Sequence, residues 1–399
     1  MIRKAFKFRV YPDSEQKDKL ATQFGCSRFV YNHYRAAREG YYQDTGTGLT
    51  YNDCAVDLTE RLKVDHPWLK DADSQAMQQA LMDLDKAYKN FFEGRADYPN
   101  FKRKFDKQSI RYPQRFKVEG GYIYLPKVGW VKAVLHRKIE GKMKNCTVSK
   151  TKTGKYFISI QCEVEHSEPE QNPNRVGIDL GLTTFATFST GEKVEKPKHF
   201  YASERRLKIR QRRLSRKVKG SNSRGKARLV VATIHEKIAN QRKDFHHKLS
   251  RTIVDAFGVI AFESLNIGGM MKNHNLAKAI ADAGWNQFVN FVEYKTAWAG
   301  SEVLRVDRFF PSSKLCSDCG AKHKSLTLNI RQWVCAECGV IHDRDENAAI
   351  NILRQSSVQV LNESTRGARE SHAVGDTSGL VKTSATEKFK AFVLEANVL

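Results

Sequence analysis

The sequence predicts a multidomain α/β protein. Three observations predict it. Apolar residues alternate with a period of two over residues 1–10 and again between 98 and 164. They recur at near-helical spacing from residue 11 to about 95. After residue 171, short apolar strands ending in acids alternate with long helical stretches. The chain has 399 residues, enough for roughly two to four domains.

Residues 1–10, Met-Ile-Arg-Lys-Ala-Phe-Lys-Phe-Arg-Val, read as a strand because basic and apolar residues alternate; a signal peptide needs an uninterrupted apolar core. Pro12 ends the strand, and Asp13 or Ser14 caps a helix carrying Leu20, Phe24, Phe29, Val30 and Tyr34. A second helical block follows Thr50, and a third runs from about Asp73 to Phe92 with Ala76, Leu81, Leu84, Tyr88 and Phe91 on one stripe. Residues 11–97 are therefore a helical block inserted after the first strand. Residues 98–170 are β-rich and barrel-like, with strands around Tyr122–Leu125, Gly129–Lys132, Cys146–Ser149 and Tyr156–Cys162. A polar, two-proline linker spans 164–174. Residues 171–310 carry the strand Val176–Gly181, basic helices over about 202–256 and the buried strand Val259–Glu263. Residues 311–341 hold paired cysteines, a helix starts near Asp345, and residues 342–356 complete the α/β unit. Residues 357–399 are expected to be a mostly disordered tail, being rich in Ser, Thr, Gly and charge.

Charge narrows the partner. Lys and Arg number 68 against 44 Asp and Glu, a net charge of +24. A chain this basic attracts polyanions, so nucleic acid is the expected partner. No run of about 18 apolar residues exists, so no membrane partner is expected. The scattered Cys26, Cys54, Cys146 and Cys162 fit buried thiols in a reducing, cytoplasmic compartment.

Cys316-x2-Cys319 and Cys335-x2-Cys338 have the spacing of a zinc ribbon, and Gly320 and Gly339 suit the tight knuckle turns. Four thiolates close the coordination shell, so this Zn2+ is structural. The nearby His342 is expected at the surface. Three acids stand where burial needs a compensating charge: Asp179 in an apolar strand, Glu263 at the end of another, and Asp345 at the start of an alanine-rich helix. Brought together, they would hold divalent cations for phosphodiester hydrolysis; Mg2+ suits the hard oxygen ligands, and Mn2+ would substitute. Spacing alone leaves Asp343 and Asp345 as alternatives, since either could serve as a helix-start charge.

Gly177-Ile178-Asp179-Leu180-Gly181, Phe262-Glu263-Ser264-Leu265, the four cysteines and Asp343-Arg344-Asp345-Glu346-Asn347-Ala348-Ala349 together resemble the TnpB (OrfB) family. These are transposon-associated, RNA-guided DNA endonucleases related to type V CRISPR effectors. Gly25-Cys26-Ser27-Arg28-Phe29-Val30-Tyr31-Asn32 and the basic stretch 238–250 are similar too, and the resemblance covers about residues 1–355. It implies a RuvC-type, RNase H-like nuclease domain with an inserted zinc ribbon that binds target nucleic acid. It also implies a β-barrel wedge domain carrying a helical recognition bundle. The implied catalytic set is Asp179, Glu263 and Asp345, the last because the family aspartate stands two places before the Asn of the Asn-Ala-Ala run. Implied partners are a guide RNA from the transposon end and double-stranded DNA beside a short adjacent motif. The protein is expected to act as a monomer within the ribonucleoprotein, in a prokaryotic, nucleoid-associated setting.

By the same resemblance, Tyr51, Ser74, Gln75 and Gln78 are similar to positions that read the DNA motif. Gln can pair with adenine, and Tyr can touch a thymine methyl. Lys102, Arg103, Lys104, Arg111, Arg206, Arg210, Arg213 and Arg242 are expected on nucleic-acid backbones, since they lie on basic helices or in aromatic–cation runs. The alternatives are a guided repressor without cleavage, a guide-free transposase, or a compact CRISPR-locus effector.

Overall fold

The computed structural model describes residues 1–166, 169, 172–197, 199–327, 329–367 and 384–398. The chain divides into two compact units, Met1–His166 and Ser167–Leu399. Among the described residues, no helix is long and apolar enough to cross a membrane.

In the first unit, strand β1 (Ile2–Tyr11) buries Phe6, Phe8 and Val10 on one face. On the other face, Lys7 and Arg9 lie over the Phe157 ring at 4.5 and 5.1 Å. Asp13 then caps α1 (Ser14–Thr45) through a reciprocal bond pair with Gln16. Thr50 and Asp53 do the same for α2 (Tyr51–Asp57). The chain continues through a π turn at Leu58–Leu62 into α3 (Lys63–Asp65), and Asp73 caps α4 (Ser74–Phe92). Val30, Tyr34, Leu58, Leu62, Met77, Leu81 and Leu84 form the core of this helical block.

The chain returns to the sheet with β2 (Gln108–Tyr112), β3 (Lys117–Glu119), β4 (Tyr122–Leu125), β5 (Gly129–Val134), β6 (Lys142–Lys150) and β7 (Tyr156–Val164). The order β2-β6-β7-β1-β5-β4-β3 is antiparallel throughout. The N-terminal strand is thus central, paired with β7 and β5, and the helices are inserted between it and the rest of its own sheet. Inward side chains from both flanks, Ile110 and Tyr112 on β2 and Ile123 and Leu125 on β4, join Phe8 and Ile158 in one cluster. One shared core reached from both sides means that the sheet curls around its apolar face. Its pairing runs from β2 at one edge to β3 at the other, an open ladder where the sequence suggests a barrel.

The second unit is built on β8 (Arg175–Asp179), β9 (Thr184–Phe188), β10 (Lys193–Glu195), β11 (Val259–Glu263) and β12 (Glu302–Val306), in the order β10-β9-β8-β11-β12. β8, β11 and β12 are parallel, and β9 and β10 are antiparallel additions. Helices α5 (His199–Ser215) and α6 (Asn222–Ala256) form a hairpin sealed by a thin seam of Leu207, Val231, Ile234 and Ile238. The short α7 (Ile267–Met270), α8 (His274–Ala283) and α9 (Trp285–Ala299) lead into β12. Val176, Ile178, Ile260 and Phe262 share a core with Leu249, Ile253, Phe288 and Val292 of α6 and α9.

The opposite sheet face meets α10 (Arg344–Gly367), where Ala261, Val306 and Ile352 cluster. Gly177 lies directly beneath this helix. A β-carbon there would stand 2.1 Å from the Ala349 carbonyl oxygen and 2.8 Å from the Leu353 nitrogen. Only glycine permits so close an approach.

The stretch read as a disordered tail is largely helical where it is described. α10 runs on to Gly367, and α11 (Ser384–Val398) buries Phe389 and Val393 in the main core, with Phe389 against Phe188 and Phe257. Residues 368–383 lie outside the described residues. The misreading has a physical cause: the face formed by Phe389, Phe392, Val393 and Ala396 is enough to anchor a short helix, but these residues are diluted in the composition of the whole segment.

Candidate functional site

Strand alternation aims the acids. On β8, Val176 and Ile178 enter the main core, so Gly177 and Asp179 face α10. On β11, Ile260 and Phe262 enter that core, and Ala261 and Glu263 face α10. The parallel register pairs Ile178 with Phe262, which puts Asp179 and Glu263 next in line at the carboxyl ends of adjacent strands. α10 crosses Gly177 at Ala349, so Asp345, one turn earlier, lies over Asp179.

Electrostatics record the same convergence. The Asp179 pKa is raised to about 7, first by burial, then by the charges of Asp345 and Glu263; Arg344 and Arg331 oppose the rise less strongly. Burial also raises Glu263, against a weaker contrary pull from the Ser312 hydroxyl, which stands 3.5 Å from its Oε2. Among the described residues, the groups whose ligand atoms all lie within 4.8 Å of one another are the four cysteines and the set Cys316, Asp318 and His342. The three acids are thus close enough to sense one another without closing into a preformed ligand shell. Their hard oxygens are of the type a divalent cation takes.

The two aspartates at the helix start have different work. Asp343 Oδ1 accepts the backbone N–H groups of Asp345 and Glu346, both at 3.1 Å, and its Oδ2 pairs with Lys193 at 2.6 Å. Burial opposes the Asp343 charge, but Lys193 and these backbone groups outweigh it and hold its pKa below the usual range. Asp343 is a cap, and Asp345 is the acid that Asp179 senses. Arg331 Nη1 contacts Asp345 Oδ1 and Oδ2 at 3.2 and 3.1 Å, and its Nη2 donates to Thr183 at 3.2 Å. Sequence reasoning missed Arg331, because one arginine carries no signal in a chain this basic.

The ribbon sulfurs of Cys316, Cys319, Cys335 and Cys338 all lie within 4.8 Å of one another. Cys316 to Cys338 and Cys319 to Cys335 are each 3.6 Å. A tetrahedron with ~2.3 Å metal–sulfur bonds separates its sulfurs by about 3.8 Å, so the set fits zinc. The two knuckles repeat one geometry. Gly320 donates to the Cys316 carbonyl and Gly339 to the Cys335 carbonyl, both at 2.9 Å, with φ of 76° and 75°. The small hairpin of β13 (Gln332–Val334) and β14 (Ile341–Asp343) completes the ribbon. His342, expected at the surface, is buried in it, with Nε2 3.0 Å from the Cys316 sulfur and its ring 4.7 Å from Trp333. Alternation along β14 turns it inward.

A buried amide clamp ties the two centres together. Asn347 Nδ2 donates to the Leu315 carbonyl at 2.7 Å, and its Oδ1 accepts the Ser317 N–H at 2.8 Å. Asn351 Nδ2 donates to the carbonyls of Ser312 and Leu315 at 2.8 and 2.7 Å. One helix therefore carries Asp345, grips the first knuckle, and fixes Ser312 beside Glu263. The asparagine of the Asn-Ala-Ala run was the available signal for this clamp.

The expected nucleic-acid residues are dispersed. Tyr51 opens α2, and Ser74, Gln75 and Gln78 lie in the first two turns of α4; Lys63 reaches the Ser74 hydroxyl at 3.2 Å. Lys102, Arg103 and Lys104 are in an exposed loop, where the Lys102 ammonium sits 3.7 Å from the Tyr31 ring. Arg206 and Arg213 are exposed on α5, and Arg210 is half-buried. Arg111 is engaged by Asp83 at 2.9 Å, and Arg242 donates to the Ala281 carbonyl at 2.7 Å, so both have structural partners.

This α/β unit, with acids at adjacent strand ends beside a four-cysteine ribbon, has clear relatives. Residues 159–274 match the OrfB model of IS605 type, described as "Probable transposase"; residues 285–352 match a Cas12f1-like TNB domain; residues 1–47 match a helix-turn-helix domain. Over that last range the structure is strand β1 followed by the single helix α1. A protein of Streptomyces pristinaespiralis is 39% identical over 388 residues, covering 94% of this chain and 95% of its own. InsQ of Escherichia coli K12 is 35% identical over 368 residues, covering 88% and 91%. Both are named as candidate RNA-guided DNA endonucleases. The TnpB-like protein L79 of Acanthamoeba polyphaga mimivirus is 24% identical over 383 residues, covering 87% and 72%. A cryo-EM structure of a Cas12f1–sgRNA–target DNA complex aligns with 88% of this chain and 99% of its own at 16% identity, but its TM-score of 0.35 defines no common fold. The chain belongs to the TnpB (OrfB) family.

Proposed function

We propose that this chain is an RNA-guided DNA endonuclease that cleaves double-stranded DNA beside a short adjacent motif through a RuvC-type site. The observation that carries this reading is the electrostatic coupling of Asp179 to Asp345 and Glu263, with the Asp179 pKa pushed to about 7 by burial first and then by those two acids. The strand order β10-β9-β8-β11-β12, with acids ending the two central parallel strands, supports the RNase H-like assignment. The names of the relatives at 39% and 35% identity support the substrate and the guide.

Asp179, Glu263 and Asp345 would hold two Mg2+ ions, which Mn2+ could replace. When bound, the ions would supply activation of a water and stabilisation of the leaving 3′ oxygen. Arg331 contributes a cation beside Asp345, placed to meet the phosphate charge that gathers there. Ser312 steadies the Glu263 carboxylate, and Asp343 fixes the first turn of α10, so the acids are held on rigid elements. The four thiols would hold Zn2+ as a closed structural site that shapes the ribbon for the target strand.

Sequence-specific recognition of DNA falls mostly to guide pairing. The protein reads only the short motif, through Tyr51, Ser74, Gln75 and Gln78 on the helical block. Basic residues, Lys102, Arg103, Lys104, Arg206, Arg210 and Arg213 among them, serve the phosphate backbones. The acting species is one chain with one guide RNA from the transposon end, in the cytoplasm of a prokaryote. The complete acidic set supports this reading over a guided repressor, and a Mg2+-dependent cleavage assay decides between them.

The test is Asp179→Ala in the ribonucleoprotein. Cleavage of matched DNA in Mg2+ should fall by about a thousand-fold or more, with guided DNA binding kept. Retained cutting by that variant would overturn the reading.

A further inference from the structure

The run Gly25 to Asn32 has no part in the cleavage site, yet its geometry is specific. Cys26, Val30 and Tyr31 enter the core of the helical block. Gly25, Arg28, Phe29 and Asn32 recur at i, i+3, i+4 and i+7, a single stripe along α1. Such a stripe ordinarily faces a core. This one lines an open cavity of 550 Å³, completed by His33 and Trp68.

The members are held in place by the fold and still present groups to the cavity. Gly25 sits inside a 32-residue helix, where glycine weakens the helix relative to alanine. A β-carbon there would meet only the Arg28 Nη2 atom, at 4.0 Å, so no neighbour in the fold requires the glycine. Its absent side chain leaves the helix backbone open to close approach. Phe29 has Trp68 at 4.9 Å and His66 at 5.1 Å, both edge-to-face, and Trp68 is 44% exposed. Arg28 is oriented by a 2.8 Å bond from Nη1 to Gln108. Asn32 clamps the backbone of Lys102 through two bonds of 2.9 and 2.8 Å, which anchors the exposed Lys102–Lys104 loop beside the cavity.

Aromatic faces, a glycine floor, an oriented arginine and neighbouring lysines together make a nucleotide cradle. We propose that this cavity takes an unpaired nucleobase of the guide RNA. The base stacks on the exposed Trp68 ring with the Phe29 ring edge-on beside it, the sugar–phosphate backbone lies along Gly25, and Arg28 meets the phosphate. Stacking needs a base that is out of its pair, and loops and bulges of a structured RNA present such bases, whereas paired DNA does not. The inference rests on the RNA-guided reading and deepens it.

The test uses the full chain and the RNA that co-purifies with it. Trp68→Ala should weaken binding of that RNA by about tenfold. Gly25→Leu should weaken it comparably while leaving the melting temperature equal or higher, because leucine is the better helix former; the loss then cannot come from unfolding. Ultraviolet crosslinking with mass spectrometry should join an unpaired RNA nucleotide to the peptide bearing Phe29 or Trp68. Wild-type RNA affinity in both variants overturns the inference. So do crosslinks that map to a displaced DNA strand with RNA affinity unchanged. A wild-type protein that binds no RNA at all overturns the guided reading itself, a result distinct from either.

Discussion

The thiol cluster and the acid cluster are built on opposite plans. The four sulfurs come from one short ribbon, Cys316 to Cys338, whose knuckle hydrogen bonds close locally. The three acids come from β8, β11 and α10, far apart in sequence, and only the tertiary fold brings them together. The ribbon offers a complete ligand shell. The acids repel one another, and the pKa of Asp179 is displaced by burial first and by that repulsion second. One centre is suited to holding structure, the other to exchanging ligands. Asn347 and Asn351 join the two on one helix.

The largest test of this contrast separates metal content from cleavage. Glu263→Gln should lower cleavage by about a thousand-fold while zinc stays at one ion per chain, as measured by atomic emission. Cys335→Ser should lose the zinc and, with the ribbon unfolded, the cleavage as well. Zinc lost from Glu263→Gln would break the division. A smaller effect belongs to the clamp. Asn347→Ala leaves the buried Ser317 N–H without its acceptor and should cost about 1–3 kcal/mol in denaturant unfolding, with zinc kept and cleavage reduced about tenfold.

The acid cluster should also show itself through pH. Folded Asp179 titrates at about 7, against about 3.9 in an unfolded chain. The folded state therefore holds this proton more tightly. Its stabilising effect is full below about pH 4 and is lost as the pH rises through 7. In magnesium-free buffer, Asp179→Asn should melt above wild type at pH 8, by on the order of 1–3 kcal/mol, and match it at pH 4. Equal melting at both values would deny the crowding. The smallest effect is expected at the cap: Asp343→Asn should cost about 1 kcal/mol and leave most of the cleavage. Complete loss there would make Asp343 a ligand.

The ribbon was legible because its ligands are local, and spacing alone encodes a tetrahedron. β1 was legible as a strand from its alternation, but its central place between β7 and β5 follows from long-range pairing that no local pattern records. Gly177 could be read as part of a motif, while the reason for it, the Ala349 backbone pressed on the strand, needed the packed helix. Spacing left Asp343 and Asp345 as alternatives, and hydrogen bonds from two backbone N–H groups gave Asp343 its separate role. Arg331 and buried His342 escaped because their positions depend on how the ribbon folds back on itself. α11 escaped because its apolar residues, Phe389, Phe392 and Val393 among them, follow a long polar stretch that dominates the composition of residues 357–399.

The central claim is that three acids form one centre for a pair of divalent ions. Its most direct measurement is electron paramagnetic resonance of Mn2+ in the wild-type ribonucleoprotein on matched DNA. The account predicts a magnetically coupled pair of ions per chain that disappears in Glu263→Gln. Isolated, uncoupled ions, or a pair that survives that substitution, would contradict it.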